Sequence, residues 1–164
     1  MTLGSHQSGL AAKHLPLDEF ERGLLAISRN LFLTFAEPDG HSWQIAFKIA
    51  EERLGETLGL SAAHLTGKLV RAILRSRTIP FEFTDPMDAD QRGVVTHDEV
   101  CLMSMIHHMR RDQTAPARAA LEDLTNGHMD PEVIRAGLGL ASRFSKGASV
   151  DTRPRNKPRL TIVS

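Results

Sequence analysis

Cysteine, tyrosine and long apolar runs are what this chain of 164 residues has least of. Its one cysteine, Cys101, cannot form an internal disulfide. This excludes the class of small secreted domains that depend on cross-links and fits a reducing compartment. No segment reaches the roughly 18 consecutive apolar residues that a membrane-spanning helix needs, and residues 1–15 lack the apolar core of a secretory signal. We therefore expect a cytoplasmic protein that does not bind a membrane.

An excess of charge of one sign is also missing, because 20 lysines and arginines balance 20 aspartates and glutamates. The chain has no overall field that attracts nucleic acid, so any such binding must be local. Residues 146–164 hold the clearest local excess, with five basic residues against Asp151 alone. Four of these cations lie in a proline-containing segment and are candidates for binding phosphate groups: Arg153, Arg155, Lys157 and Arg159. We expect a solvated basic tail there, with nucleic-acid binding as a less favoured alternative.

Apolar residues recur every three or four positions over most of the chain, which is the spacing of one face of an α-helix. The pattern predicts an all-α, single-domain bundle of about six helices. They are expected from Leu17 to before Pro38, from Ser42 to Gly55, from Ser61 to about Arg77, over 100–109 behind a cap at Thr96, over 117–126, and from Asp130 to about Phe144. We expect a flexible arm over 1–15, the helical domain over 16–145 and the basic extended tail over 146–164. Prolines mark 78–92 as an extended connector.

The most specific motif is the twelve-residue string 88–99, DADQRGVVTHDE. A calcium loop needs oxygen ligands at positions one, three and five, glycine at six, a main-chain carbonyl at seven and a two-oxygen glutamate at twelve. The matching residues are Asp88, Asp90, Gly93, Val94 through its carbonyl, and Glu99, with Thr96 at position nine. Over these twelve residues the chain resembles the EF-hand family, and the resemblance implies a calcium site.

Two features depart from the EF-hand pattern. Arg92 at position five places a cation where an oxygen ligand belongs, and Pro86 interrupts the helix that should enter the loop. The alternative is structural: the aspartates form a turn, Gly93 supplies a positive φ, and Thr96 with Glu99 forms the capping box of the fourth helix. The structural alternative is the more frequent arrangement, because capping boxes are common.

His97 and Cys101 lie four residues apart on one face of the fourth helix. Imidazole and thiolate are zinc ligands, so the pair is a candidate half-site that would need further ligands from another helix. The alternative is a half-buried polar edge beside the apolar face of the helix.

Met103, Met105 and Met109 make the same helix rich in methionine. Thioether side chains repack around differently shaped partners, so these residues are candidates for a groove that receives a partner helix. Methionines at helical spacing also fill ordinary cores, and that alternative remains open.

No established catalytic motif is present: the chain has no Gly-x-Ser-x-Gly elbow, no phosphate-binding Gly-x-x-x-x-Gly-Lys loop and no His-Glu-x-x-His helix. We therefore expect a non-catalytic regulatory or adaptor protein that binds a protein partner, or a second copy of itself, through a helical surface. No cofactor is expected. The alternatives are a metal-responsive sensor of calcium or zinc and a small DNA-binding regulator that uses the basic tail.

Overall fold

The structure, a computed structural model, describes residues 10–146. Most of them form six helices: α1 (Glu19–Ala36), α2 (Ser42–Leu54), α3 (Glu56–Ser76), α4 (His97–Met109), α5 (Thr114–Leu124) and α6 (Pro131–Arg143). Two strands of two residues each, β1 (Leu10–Ala11) and β2 (Val94–Val95), form one small sheet. The prediction of an all-α bundle of six helices is confirmed. Across 10–146, every helix is too short or too polar to cross a membrane.

Reciprocal capping fixes the beginnings of α1 and α4. At α1, Asp18 accepts the N–H of Glu21 while the Glu21 carboxylate accepts the N–H of Asp18. Thr96 and Glu99 make the same pair of hydrogen bonds at α4, which confirms the predicted capping box. In each helix a glutamate in the third position therefore has its carboxylate next to the first turn.

The observed boundaries differ most from the predicted ones between α2 and α3. Gly55 alone joins these helices, with a φ of 78° that glycine adopts without strain. As a result α3 begins at Glu56 and not at Ser61, and Gly59 lies inside it. A Cβ on Gly59 would lie 2.6 Å from the carbonyl oxygen of Ala50, so this glycine serves the close approach of α2 to α3.

The core forms where α1 packs against α2, α3 and α4, where α4 packs against α5 and α6, and where α3 packs against α6. Five helices supply its largest fully buried apolar side chains: Leu24, Ile27, Leu69, Ile73, Leu102, Met103, Met105, Ile106, Leu121, Leu124 and Leu140. Helix α2 contributes the fully buried alanines Ala46 and Ala50. Small side chains on α2 let its backbone lie close to its neighbours, which is consistent with the contact at Gly59.

The connector between α3 and α4 packs back onto the bundle. Phe81 stacks on Phe32 of α1 with ring centroids 4.0 Å apart. After the connector, β2 pairs with β1 in antiparallel fashion, with Leu10 opposite Val95. Residues 10–14, which we assigned to the arm, therefore form β1 and a short 3-10 helix. The rest of the predicted arm, 1–9, lies outside the described residues.

Gly59→Ala is expected to destabilise the protein by about 1–3 kcal/mol, because the new methyl group overlaps the main chain of Ala50. The matched control is Gly67→Ala in the same helix. A Cβ at Gly67 meets nothing within 4 Å, and alanine is the better helix former, so this change should stabilise by up to about 1 kcal/mol. Urea unfolding followed by circular dichroism measures both. Shifts of the same sign in the two variants would contradict the close packing of α2 on α3.

Candidate functional site

The predicted calcium loop 88–99 ends in a buried glutamate. Glu99 is 1% exposed, and the guanidinium of Arg29 donates to both of its oxygens, at 2.7 Å to Oε1 and 2.9 Å to Oε2. The main-chain N–H groups of Thr84 and Thr96 also donate to this carboxylate, at 3.2 and 3.0 Å. The hydroxyl of Thr84 adds a longer hydrogen bond at 3.5 Å, so the protein itself supplies five hydrogen bonds to the Glu99 carboxylate.

Arg29 reaches this loop from the middle of α1 and binds its main chain as well. Its Nη1 donates to the carbonyl of Arg92 at 2.9 Å, and its Nη2 donates to the carbonyl of Val94 at 2.6 Å. The carbonyl of Val94 and the two oxygens of Glu99 are the atoms that the EF-hand resemblance assigns to calcium. In this structure they surround a permanently charged, planar guanidinium, whose fork of N–H donors matches their positions.

The predicted aspartate ligands stay at the surface, whereas Thr96 caps α4. Asp88 and Asp90 are exposed, and Oδ1 of Asp88 accepts the N–H of Asp90 at 3.0 Å, as in the predicted turn. The positive φ predicted for Gly93 is wrong, because among the described glycines only Gly55 and Gly127 have one. The structure thus brings Val94 and Glu99 together around Arg29 and leaves the aspartates in solvent. Among residues 10–146, no three histidine, cysteine, aspartate or glutamate side chains are grouped so as to hold a metal ion. Calcium binding by this loop stays a prediction.

The candidate zinc pair is brought together at the start of α4. Sγ of Cys101 lies 3.6 Å from Nε2 of His97, with the histidine exposed and the cysteine buried. Burial raises the pKa of the Cys101 thiol to about 11. At neutral pH the sulfur therefore carries its proton, whereas a zinc ligand is the thiolate.

The predicted methionine surface is corrected by the structure. Met103 and Met105 are 1% and 0% exposed and belong to the core, so they do not form an accessible surface in this fold. Met109 alone of the three is only partly buried. It lies at the end of α4, where that helix meets α5 and α6.

A groove of about 380 Å³ opens beside Met109, between α4, α5 and α6. Its apolar lining comes mainly from Met109, Leu121, Met129, Ile134 and Leu138. Leu138 is 50% exposed, although it lies in the middle of α6.

Two glycines, Gly137 and Gly139, flank Leu138 in α6. A Cβ on Gly137 would lie 2.9 Å from Sδ of Met109, so this glycine lets α6 pack onto α4. No contact within the described residues requires glycine at position 139, because a Cβ there would meet nothing within 4 Å. Leu138 therefore projects between two positions that carry no side chain.

A second charged cluster joins the start of α1 to the end of α4, and we did not predict it. Oε1 of the buried Glu21 accepts hydrogen bonds from Arg110 at 2.5 Å and from Arg111 at 2.6 Å. Its Oε2 lies 3.0 Å from Nδ1 of His107. Asp18 accepts from Arg110 at 2.8 Å. The only sequence signals were two arginines after one helix and an acidic first turn in another, and neither is specific.

Burial by itself would raise the pKa of Glu21, but hydrogen bonds from Arg111, from His107 and from the backbone of Asp18 outweigh it and leave the pKa lowered. The pKa of Asp18 is lowered in the same way, against burial, by the backbone N–H of Glu21 and by Arg110. Carboxylates with lowered pKa are weak general bases. The cluster is therefore suited to joining two helices and poorly suited to proton transfer.

The candidate phosphate-binding residues Arg153, Arg155, Lys157 and Arg159 lie outside the described residues. Comparison of the chain with protein-family models, with curated proteins and with solved structures finds no match. Of the three methionines predicted to bind a partner, only Met109 lines the groove between α4, α5 and α6.

Acid should destabilise the protein through Glu21 and Asp18. Because their pKa values are lowered in the folded state, the unfolded chain binds more protons in acid. The stability that each carboxylate contributes is therefore present above its ordinary pKa, 4.5 for Glu21 and 3.8 for Asp18, and is lost as the pH falls below that value. Glu21→Gln should cost roughly 3 kcal/mol at pH 7 and make the remaining loss in acid shallower. The matched control is Glu19→Gln, an exposed neighbour on α1. The free energy of unfolding, measured at about five pH values between 3 and 7, tests this. If Glu21→Gln lost as much stability in acid as the wild type, the prediction would be contradicted.

Arg29→Met should destabilise the protein by about 3–5 kcal/mol, because it leaves the Glu99 carboxylate buried without its cation. Arg29→Lys should restore only part of this, since an ammonium lacks the planar fork. Arg22→Met, on the exposed side of the same helix, is the control and should change stability by less than about 0.5 kcal/mol. Thermal unfolding compares the three variants. Wild-type stability in Arg29→Met would contradict the role assigned to this pair.

Proposed function

We propose that the protein is a non-catalytic regulatory or adaptor module, and that the groove beside Met109 binds one amphipathic helix of a protein partner. The observation that carries this proposal is the half-exposed Leu138 projecting into an apolar groove between three helices. Helix-in-groove recognition uses such a surface, with apolar side chains of the incoming helix filling the pockets. The free, buried Cys101 is compatible with a cytoplasmic setting.

Gly139 supports a close approach by a partner. Glycine inside an exposed helix costs up to about 1 kcal/mol relative to alanine, and no contact within 10–146 requires it. A partner that packs directly on α6 would explain the glycine, because a methyl group at this position would keep the partner from approaching the helix.

The size and the rim of the groove fit one face of a single helix. At about 380 Å³ the groove accommodates the few side chains that one face of a short helix presents. Asp112 and Arg118 lie on its rim, so both signs of charge border the apolar lining. The expected partner helix therefore carries a short apolar face flanked by charges of both signs.

Selection from a displayed library of amphipathic helical peptides tests the proposal. We expect peptides with apolar residues at i, i+3, i+4 and i+7, and we expect Leu138→Asp to weaken their binding at least tenfold, since the lost burial of one leucine is worth about 1.5–3 kcal/mol. The control is Leu60→Asp on α3, an equally exposed leucine away from the groove. Gly139→Ala should raise the melting temperature of the free protein and weaken the same peptides.

Failure to select any helical peptide, or equal binding of the selected peptides by Leu138→Asp, would overturn the proposal. Native mass spectrometry provides the second readout. Self-association that Leu138→Asp abolishes would assign the groove to a second copy of the chain and would also contradict a partner helix.

A further inference from the structure

A second cavity, of about 540 Å³, lies between α1, α2 and the turn that follows Pro86. Among residues 10–146, no acidic residue lines it, and the lining includes four arginines: Arg22, Arg29, Arg53 and Arg92. The groove beside Met109 is built from α4, α5 and α6, so this cavity is a separate site. Its volume lies in the range of small-molecule sites, which is roughly 300–1,000 Å³.

Three of the four arginines are available to a ligand. Arg29 is neutralised by Glu99. Arg92 makes one hydrogen bond, from Nε to the carbonyl of Pro86 at 3.2 Å. The side chains of Arg22 and Arg53 make no hydrogen bond or ion pair with any part of the chain that the structure describes.

Acidic residues of the adjoining segments leave these cations unpaired. Glu19 and Glu52 line an adjoining cavity together with Arg53, and neither makes an ion pair with it. Asp88 and Asp90 belong to the same turn as Arg92 and are exposed. An oxyanion entering the cavity would therefore meet guanidinium groups without first displacing a carboxylate of the described residues.

The side chain of Arg53 lies against α1 at Gly23. Gly23 is buried inside that helix, where glycine is a poor helix former, and a Cβ there would lie 3.1 Å from Cδ of Arg53. The missing side chain gives the stem of Arg53 its path across α1. The packing of α1 on α2 thus leaves room for Arg53 beside the cavity, where this side chain is exposed.

Asn30 also lines the cavity, and its side-chain oxygen has no hydrogen-bond donor among the described residues. It is 2% exposed, and its Nδ2 donates to the carbonyl of Ala26 at 2.9 Å. Its Oδ1 is buried and has no donor among residues 10–146. Buried polar atoms are rarely left unpaired. This oxygen has no accessible surface, so it is not counted among the contacts of a ligand in the cavity.

The remaining lining is apolar and partly open to solvent. Ile45 and Met87 are exposed at the cavity, and Leu25 and Ile49 lie beside them. We propose that this cavity binds a small amphiphile, with an oxyanion head, phosphate or carboxylate, held by the free arginines and an apolar body packed against these side chains.

Isothermal titration calorimetry with octyl phosphate and octanoate, both below their micelle concentrations, tests this inference. At least one should bind, while octanol and inorganic phosphate should each bind at least tenfold more weakly, because each lacks half of the ligand. The double variant Arg22→Gln/Arg53→Gln should lose at least tenfold in affinity. Arg71→Gln/Arg75→Gln removes two exposed cations from α3 and should leave the affinity unchanged.

Several results would overturn the inference. No binding of either amphiphile, or equal binding by the Arg22→Gln/Arg53→Gln variant, would remove the site. Binding of inorganic phosphate as tight as octyl phosphate would reduce it to a simple anion site. Sedimentation with anionic phospholipid vesicles, without binding of either dispersed amphiphile, would assign the arginines to a membrane surface. None of these outcomes depends on the groove beside Met109, so either proposal can fail alone.

Discussion

The buried pair between Arg29 and Glu99 is the contact on which the positions of α1, α4 and the loop before α4 depend. Burying two charges is unfavourable by several kcal/mol per ion unless hydrogen bonds replace the lost water. Here the carboxylate also caps α4, and the guanidinium also binds the carbonyls of Arg92 and Val94. One contact therefore fixes where α4 begins and how the loop reaches it.

The other end of the same helix pair is joined by the reciprocal arrangement. Glu21 caps α1 and is bound by Arg110 at the end of α4, just as Glu99 caps α4 and is bound by Arg29 of α1. Each helix thus offers its capping glutamate to an arginine of the other, which holds the two in antiparallel order. An aliphatic interface could bury as much surface, but it would not specify this register, because apolar packing is not directional.

The groove beside Met109 and the arginine-lined cavity are built from different helices of the bundle. The groove beside Met109 forms where α6 packs onto α4 through Gly137, and Leu138 is carried outward by that contact. The arginine-lined cavity forms where the loop held by Arg29 meets α1 and α2, so Arg92 and Met87 come to lie near Arg22 and Arg53. Both regions are consequences of how the helices are joined, and one is apolar while the other is cationic.

Local chemistry determined the elements: the three-to-four residue spacing identified the six helices, and the Thr96 and Glu99 spacing identified the cap of α4. These signals act over a few residues, so they can be recognised from the sequence alone. The start of α3 was mispredicted because the role of Gly59 depends on the backbone of α2. The same holds for the site residues, since Arg29 lies 70 positions from Glu99 and nothing near it in the chain marks it as the cation of that loop. Only tertiary structure decides which methionines are buried, which arginines share a cavity and which charge meets which, because burial and pairing depend on distances between segments that the order of residues does not contain.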